Sequence, residues 1–234
     1  MSLSLTDASS PPFSSSFAYE VVVEPAAPAA LSVTTSPPPS VAGAKFSVGV
    51  SAVDAYGNVV TFDNSDAVRL ALQHGSATPK GAELTCTKSA VPVVDGVASF
   101  ACSISTAGAF TLVATAPNLV NAVSSPVQIV ASAPSQLRFV REPPQLVSAT
   151  KSFTATVAIE DKYGNVSLVA SNTVTLTLSG GSSGAALTCN ADPLNASAGK
   201  AAFTCSISQP GKNYVLNASS PSLKKATSTK VRTH

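Results

Sequence analysis

Two β-sandwiches in tandem are the fold that the sequence predicts, and three observations predict it. The chain repeats itself: "KFSVGVSAVDAYGN" (45–58) aligns with "SFTATVAIEDKYGN" (152–165), and matched segments continue through "AFTLVATAPNL" (109–119) and "NYVLNASSPSL" (213–223). Apolar residues alternate with period two in both copies, the mark of half-buried strands. Each copy also holds two cysteines 16 positions apart, Cys86 and Cys102, then Cys189 and Cys205.

The elements follow in chain order. Residues 1–25 read as a leader carrying the last strand of a preceding copy. "AYEVVVEPAAPAALSV" (18–33) has the layout of "SSPVQIVASAPSQLRF" (124–139), which closes one copy and opens the next. The leader's "MSLSLTDASS" has neither a basic n-region nor a continuous apolar stretch, so no signal peptide is expected there. Copy one spans 26–131 and copy two 132–234. In copy one Phe46, Val48, Val50 and Ala52 share a strand face, matched by Phe153, Ala155, Val157 and Ile159. Val68, Leu70 and Leu72 form the next row, matched by Val174, Leu176 and Leu178. Phe100, Cys102 and Ile104 follow, matched by Phe203, Cys205 and Ile207. Phe110, Leu112 and Ala114 come last, matched by Tyr214, Leu216 and Ala218. The offset between copies drifts from 107 to 103 between Val68 and Cys86, so that span reads as a loop. About seven short strands per ~100 residues, with frequent turn signals, predict an all-β chain of two tandem immunoglobulin-like β-sandwiches.

The repeat also sorts the cysteines. Four cysteines allow three pairings, but only Cys86–Cys102 and Cys189–Cys205 stay within one copy. No short Cys-x-x-Cys spacing suggests zinc, so two disulfides and an oxidising compartment are expected. Both bridges are expected to be buried beside the Phe and Ile rows. No Trp is present to pack on an antibody-type inter-sheet bridge.

"DAYGN" (54–58) and "DKYGN" (161–165) end a strand in each copy. Gly57 and Gly164 suit a positive φ, and Asn58 and Asn165 tolerate it nearly as well. Asp54 and Asp161 are expected to accept hydrogen bonds from the turn's own N–H groups. Tyr56 and Tyr163 are expected to cover the sandwich end, each hydroxyl finding a backbone partner. A calcium site at Asp54, Asp63 and Asp66 is the competing reading. Copy two has Ala170 and Thr173 near the counterparts of the last two, so the structural turn is preferred. No metal or cofactor is expected.

These residues resemble a known family. "DAYGNVV" and "DKYGNVS", "GVASF" and "GKAAF", and Gly108 and Gly211 ahead of the next strand resemble bacterial immunoglobulin-like (Big) repeats. The likeness is to the invasin/intimin type found in large cell-surface proteins, and it covers residues of about 26–231. It implies rigid spacers and sometimes adhesive tips. The disulfide within each copy departs from the cysteine-poor repeats of that family.

Other classes find little support. The net charge is +2 with Lys and Arg scattered, so nucleic acid is not an expected partner. No apolar run is long enough to insert in a membrane. Charged residues are only 11% of the chain, well below the ~25% common in soluble domains, a hydroxyl-rich balance associated with export. His74 and His234 lack counterparts in the other copy, Glu83, Glu160 and Asp161 form no acid/base pair common to both, and no catalytic motif is present. The sequons at Asn165, Asn195 and Asn217 matter only in a eukaryotic source. The sequence therefore predicts a non-catalytic extracellular or cell-surface module whose partners are neighbouring immunoglobulin-like repeats of the same chain. The alternative is a module binding a surface glycan or protein through the loops 73–83 and 179–185, with Phe13, Tyr19 and Phe62 as exposed aromatics.

Overall fold

The computed structural model describes residues 22–64, 66–73, 79 and 81–234, with the backbone of an antiparallel pair, Leu3–Thr6 and Ser14–Phe17. The leader reading falls, through residue 21, outside the described residues apart from that pair. Phe13, Tyr19 and His74 lie outside them too.

Every regular element among the described residues is a strand. In copy one, Ala30–Thr35, Phe46–Val53, Val97–Ile104 and Leu84–Cys86 lie side by side in that order, all antiparallel. The opposing layer pairs Ala67–Leu72 with Leu112–Thr115, and the latter with Ala122–Val123. Gly108–Phe110 pairs with Val127–Val130, which Ser40–Val41 joins in parallel. This is the strand arrangement of an immunoglobulin-like sandwich, with A-B-E-D on one sheet and C-F-G on the other. Copy two repeats it: Gln136–Arg141, Phe153–Glu160, Lys200–Ile207 and Leu187–Cys189 form one sheet. Thr173–Ser179, Gly211–Ser219 and Val231–Thr233 form the core of the other.

The period-two rows are what hold the layers together. Phe46, Val48, Val50 and Ala52 meet Phe100, Cys102, Ile104, Phe110, Leu112 and Ala114 in one apolar cluster, and the matched residues of copy two form a second. Leu70 and Leu178 are only half-buried, in step with their rows but less enclosed. Two buried serines were not anticipated. Ser124 Oγ accepts from Leu112 N at 2.9 Å, and Ser228 Oγ accepts from Leu216 N at 3.0 Å. Each hydroxyl satisfies a backbone donor where the strand ladder is broken, which an apolar side chain could not do.

Cys86–Cys102 and Cys189–Cys205 are disulfide-bonded, and each pair lies directly opposite on adjacent strands of one sheet. The bridges thus staple two strands of a layer and do not cross the core. Only Cys102 and Cys205 are fully buried; Cys86 and Cys189 are half-buried because their short strands form the sheet edge. The expectation that both bridges are buried beside the Phe and Ile rows thus holds for Cys102 and Cys205 and only in part for Cys86 and Cys189. Closing a loop of this size is worth ~3 kcal/mol if chain entropy is the cause. Replacing Cys86 and Cys102 together with Ala should therefore lower the unfolding free energy by ~2–4 kcal/mol in a denaturant titration.

One difference between the copies carries a charge. Val53 of copy one is replaced at the matching position by Glu160, whose side chain is buried and whose Oε1 meets Arg138 Nε and Nη2, both at 2.7 Å. Among the described residues Glu160 Oε2 has no hydrogen-bond partner. A lone buried carboxylate is costly, so the pair is needed more than it is stabilising. Arg138→Ala should cost towards the lower end of ~3–5 kcal/mol, since the arginine is 60% exposed and water partly replaces it. Combining Glu160→Val with Arg138→Ser, the residues of copy one, should recover most of that loss in the same titration.

Candidate functional site: the Asp-x-Tyr-Gly-Asn joint

The repeated pentad closes the same turn in both copies. Asp54 N donates to Asn58 O at 2.9 Å and Gly57 N to Asp54 O at 3.1 Å; Asp161 and Gly164 repeat both bonds. Gly57 and Gly164 share a φ of 86°, where a side chain would be strained. The glycine alone takes this conformation. Asn58 and Asn165, which would tolerate it, do not take it.

The aspartate is the fastening point. Asp54 Oδ1 accepts from Tyr56 N and Asn58 N, each at 2.9 Å, and the Asn58 amide donates to both carboxylate oxygens. Asp54 Oδ2 also accepts from Ala26 N at 3.0 Å, 28 positions upstream on the segment entering the copy. Copy two does the same. Asp161 Oδ1 takes Tyr163 N and Asn165 N, and Oδ2 takes Ser132 N at 2.9 Å. Each carboxylate thus ties its turn to the incoming linker. The Asn58 side-chain bond and the backbone donors hold the Asp54 carboxyl at a pKa of about 2. Burial pushes Asp161 upward, but its bonds from Asn165, Ser132 and Tyr163 outweigh that and keep it below the usual range.

These donors use the oxygens that the calcium reading would need from Asp54. Among the described residues no group of three or more His, Cys, Asp or Glu could hold a metal ion. Glu160 and Asp161 are adjacent in sequence but differently engaged, one with Arg138 and one with the turn. His234 Nε2 lies 3.3 Å from Ser148 Oγ.

The second pentad goes further than its own turn. Asn165 Nδ2 donates to Ser105 O at 2.7 Å while also donating to Asp161 Oδ2, and its Oδ1 accepts from Ala107 N at 2.8 Å. Ser105 and Ala107 belong to copy one, so one amide joins the two copies through a backbone acceptor and donor two residues apart. The Tyr163 ring lies against Gly43 of copy one, where any Cβ would collide with the ring and its hydroxyl. Lys162 Nζ sits 4.9 Å from the centre of that ring. Neither Tyr56 nor Tyr163 makes the predicted hydroxyl bond to backbone among the described residues; the Tyr163 ring serves as a contact surface, and Tyr56 is exposed rather than covering the sandwich end. The sequon asparagine Asn165 has its amide nitrogen engaged in the joint.

Gly43, Ser105 and Ala107 were missed from sequence. Nothing marks them, because copy two has Thr150, Ser208 and Pro210 at these places and a repeat comparison hides them. Beside the joint runs a groove of about 640 Å³ lined by Gly108, Ile129 and Val130 of copy one and Val166, Leu168 and Val169 of copy two. Phe62 is 56% exposed in copy one.

A depressed carboxyl stabilises the fold above its unfolded pKa, near 3.9, and that contribution is lost as pH falls through the folded value. Melting temperature should accordingly fall between pH ~4 and about 2, the value reached by Asp54. Asp54→Asn and Asp161→Asn should each melt lower at neutral pH, since an amide nitrogen would face the donor N–H of Ala26 or Ser132. Both variants should also show a smaller further drop on acidification, read by calorimetry across pH.

No family model matches the chain, and no curated protein matches it. Solved structures do, and these neighbours include bacterial adhesins of the intimin/invasin type. The chain is similar to the Escherichia coli adhesin FdeC, at 21% identity over 90% of this chain and 66% of that one, with a TM-score of 0.39. It is similar to the D00-D0 domain of intimin, at 14% identity over 87% of this chain and 99% of that one, TM-score 0.46. It is also similar to the Yersinia pseudotuberculosis adhesin InvE, at 13% identity over 87% and 58%, TM-score 0.36. Glycosyl hydrolases and surface-layer proteins occur among the other neighbours. With identities of 21% or less and TM-scores below 0.5, these likenesses carry no conclusion about activity.

Proposed function

We propose that this chain is a rigid, non-catalytic spacer segment of a larger extracellular or cell-surface protein, its partners being neighbouring repeats in the same chain. The observation that carries this reading is the double use of the pentad. Asp161 holds the linker at Ser132 while Asn165 and Tyr163 hold copy one at Ser105, Ala107 and Gly43. A linker fastened at one end and bridged by a docked turn has few hinge states left. Pro134, with its fixed φ, removes more. Two disulfides suit an oxidising location. Glycan or protein binding is the second reading, favoured by the apolar groove beside the joint with Leu168 and Val169 exposed along it.

Asn165→Ala removes two hydrogen bonds across the joint, together ~1–3 kcal/mol at ~0.5–1.5 kcal/mol each. The ratio of docked to undocked joints should fall roughly 5- to 150-fold. Small-angle scattering should show one narrow, elongated distribution of sizes for the native chain and a broad one for the variant, with both copies still folded. An equally broad distribution for the native chain would remove the spacer reading.

A further inference from the structure

The joint described above uses one of two pentads, and the other is built alike but left open. In copy one the turn has the same hydrogen bonds, the same glycine φ and the same fastening to its linker. Yet Tyr56 is 85% exposed where Tyr163 is 42% exposed. Asn58 bonds only to Asp54 among the described residues, so its Oδ1, the counterpart of the atom that accepts from Ala107 N, is unused. Val59 is exposed where Val166 is half-buried.

The occupied joint states what would fit. It requires a backbone C=O and N–H two residues apart, as at Ser105 and Ala107, beside a turn residue without a Cβ, as at Gly43. The far end of copy two fails on both counts. Thr150 takes the place of Gly43: its N–H donates to Ile207 O as that of Gly43 donates to Ile104 O, at a similar positive φ. Its Cβ would stand where the tyrosine ring must lie. Pro210 takes the place of Ala107 and has no N–H to give to an asparagine.

We propose that the Tyr56–Asn58 turn is a second docking joint, and that its occupant is the far end of another unit of the copy-one kind, carrying Gly at the Gly43 position and an N–H at the Ala107 position. The two kinds of end make the joint directional and selective. Copy one offers both a tyrosine turn and a receiving end, whereas copy two offers only the turn. The full chain therefore does not stack on itself head to tail through this face. The proposal rests on the spacer reading, because it extends the same joint to a further repeat.

The test is a tandem duplication in the full chain: residues 1–131 followed directly by 26–234, which keeps the native spacing of linker to pentad. Tyr56→Phe in the upstream copy leaves the downstream Tyr56 as the reporter. Nitration of that tyrosine, followed by mass spectrometry, should be about twofold slower than in the native chain, in proportion to exposures of 85% and 42%. Gly43→Thr with Ala107→Pro in the upstream copy should restore the native rate. Copy two carries this pair of residues in the same fold, so the variant has a precedent for folding, and circular dichroism checks that it does. An unchanged Tyr56 rate in the duplicated chain, or protection that survives the double substitution, overturns the proposal. If the native chain still scatters as a stiff particle, the spacer reading survives and only the second joint is lost.

Discussion

Much of this structure depends on one carboxylate used twice. Asp54 and Asp161 each gather donors from their own turn and one donor from the linker, and so decide how the chain enters a copy and how its first long strand ends. An ionised carboxylate accepts such bonds more strongly than a neutral side chain would. The pentad is therefore a fastening device before it is anything else. The asparagine amide gives one N–H to that aspartate, and in copy two its other N–H and its oxygen point away from its own copy. Placed against a backbone C=O and N–H, that amide becomes a bridge between copies.

The two copies share this frame and differ where the surroundings differ. Val53 suits an apolar strand end in copy one, whereas Glu160 at the same place requires Arg138 from the neighbouring strand. Phe110 fills the core at the end of the short strand Gly108–Phe110, whereas Tyr214 fills the matching place with a hydroxyl that donates to Gln209 O and accepts from Ser182 N. The Tyr214 hydroxyl and Glu160 Oε1 each come with a partner. Among the described residues Glu160 Oε2 and the hydroxyl of Ser220, which stands where copy one has Ala116, have no hydrogen-bond partner. The same divergence reaches the ends of the sandwiches, where Gly43 and Ala107 receive a neighbour and Thr150 and Pro210 do not.

Much of the fold was legible because strand burial has a period of two and the duplication supplied a second reading of every strand. Phe46 through Ala52 and Phe153 through Ile159 face the core as their alternation predicts. The cysteine pairing was legible for the same reason. How deeply the bridges lie was not, because edge or centre is a property of strand order, and Leu84–Cys86 turned out to be an edge. Ser124 and Ser228 were overlooked: a serine in a serine-rich chain carries no signal until the broken ladder beside it is seen.

By itself the sequence determined the all-β class, the repeat and its register, the cysteine pairs, and the residues of the pentad, since each is written in local pattern or in the match between copies. Only the tertiary structure decided that the pentad reaches past its own turn. Asn165 and Tyr163 meet Ser105, Ala107 and Gly43 across nearly 60 positions or more, and all three contacts are with backbone or with a glycine. A backbone C=O or N–H has no letter in a sequence, and an absent side chain at Gly43 matters only once a ring lies against it. Contacts of that kind are fixed by where the sandwiches place their ends.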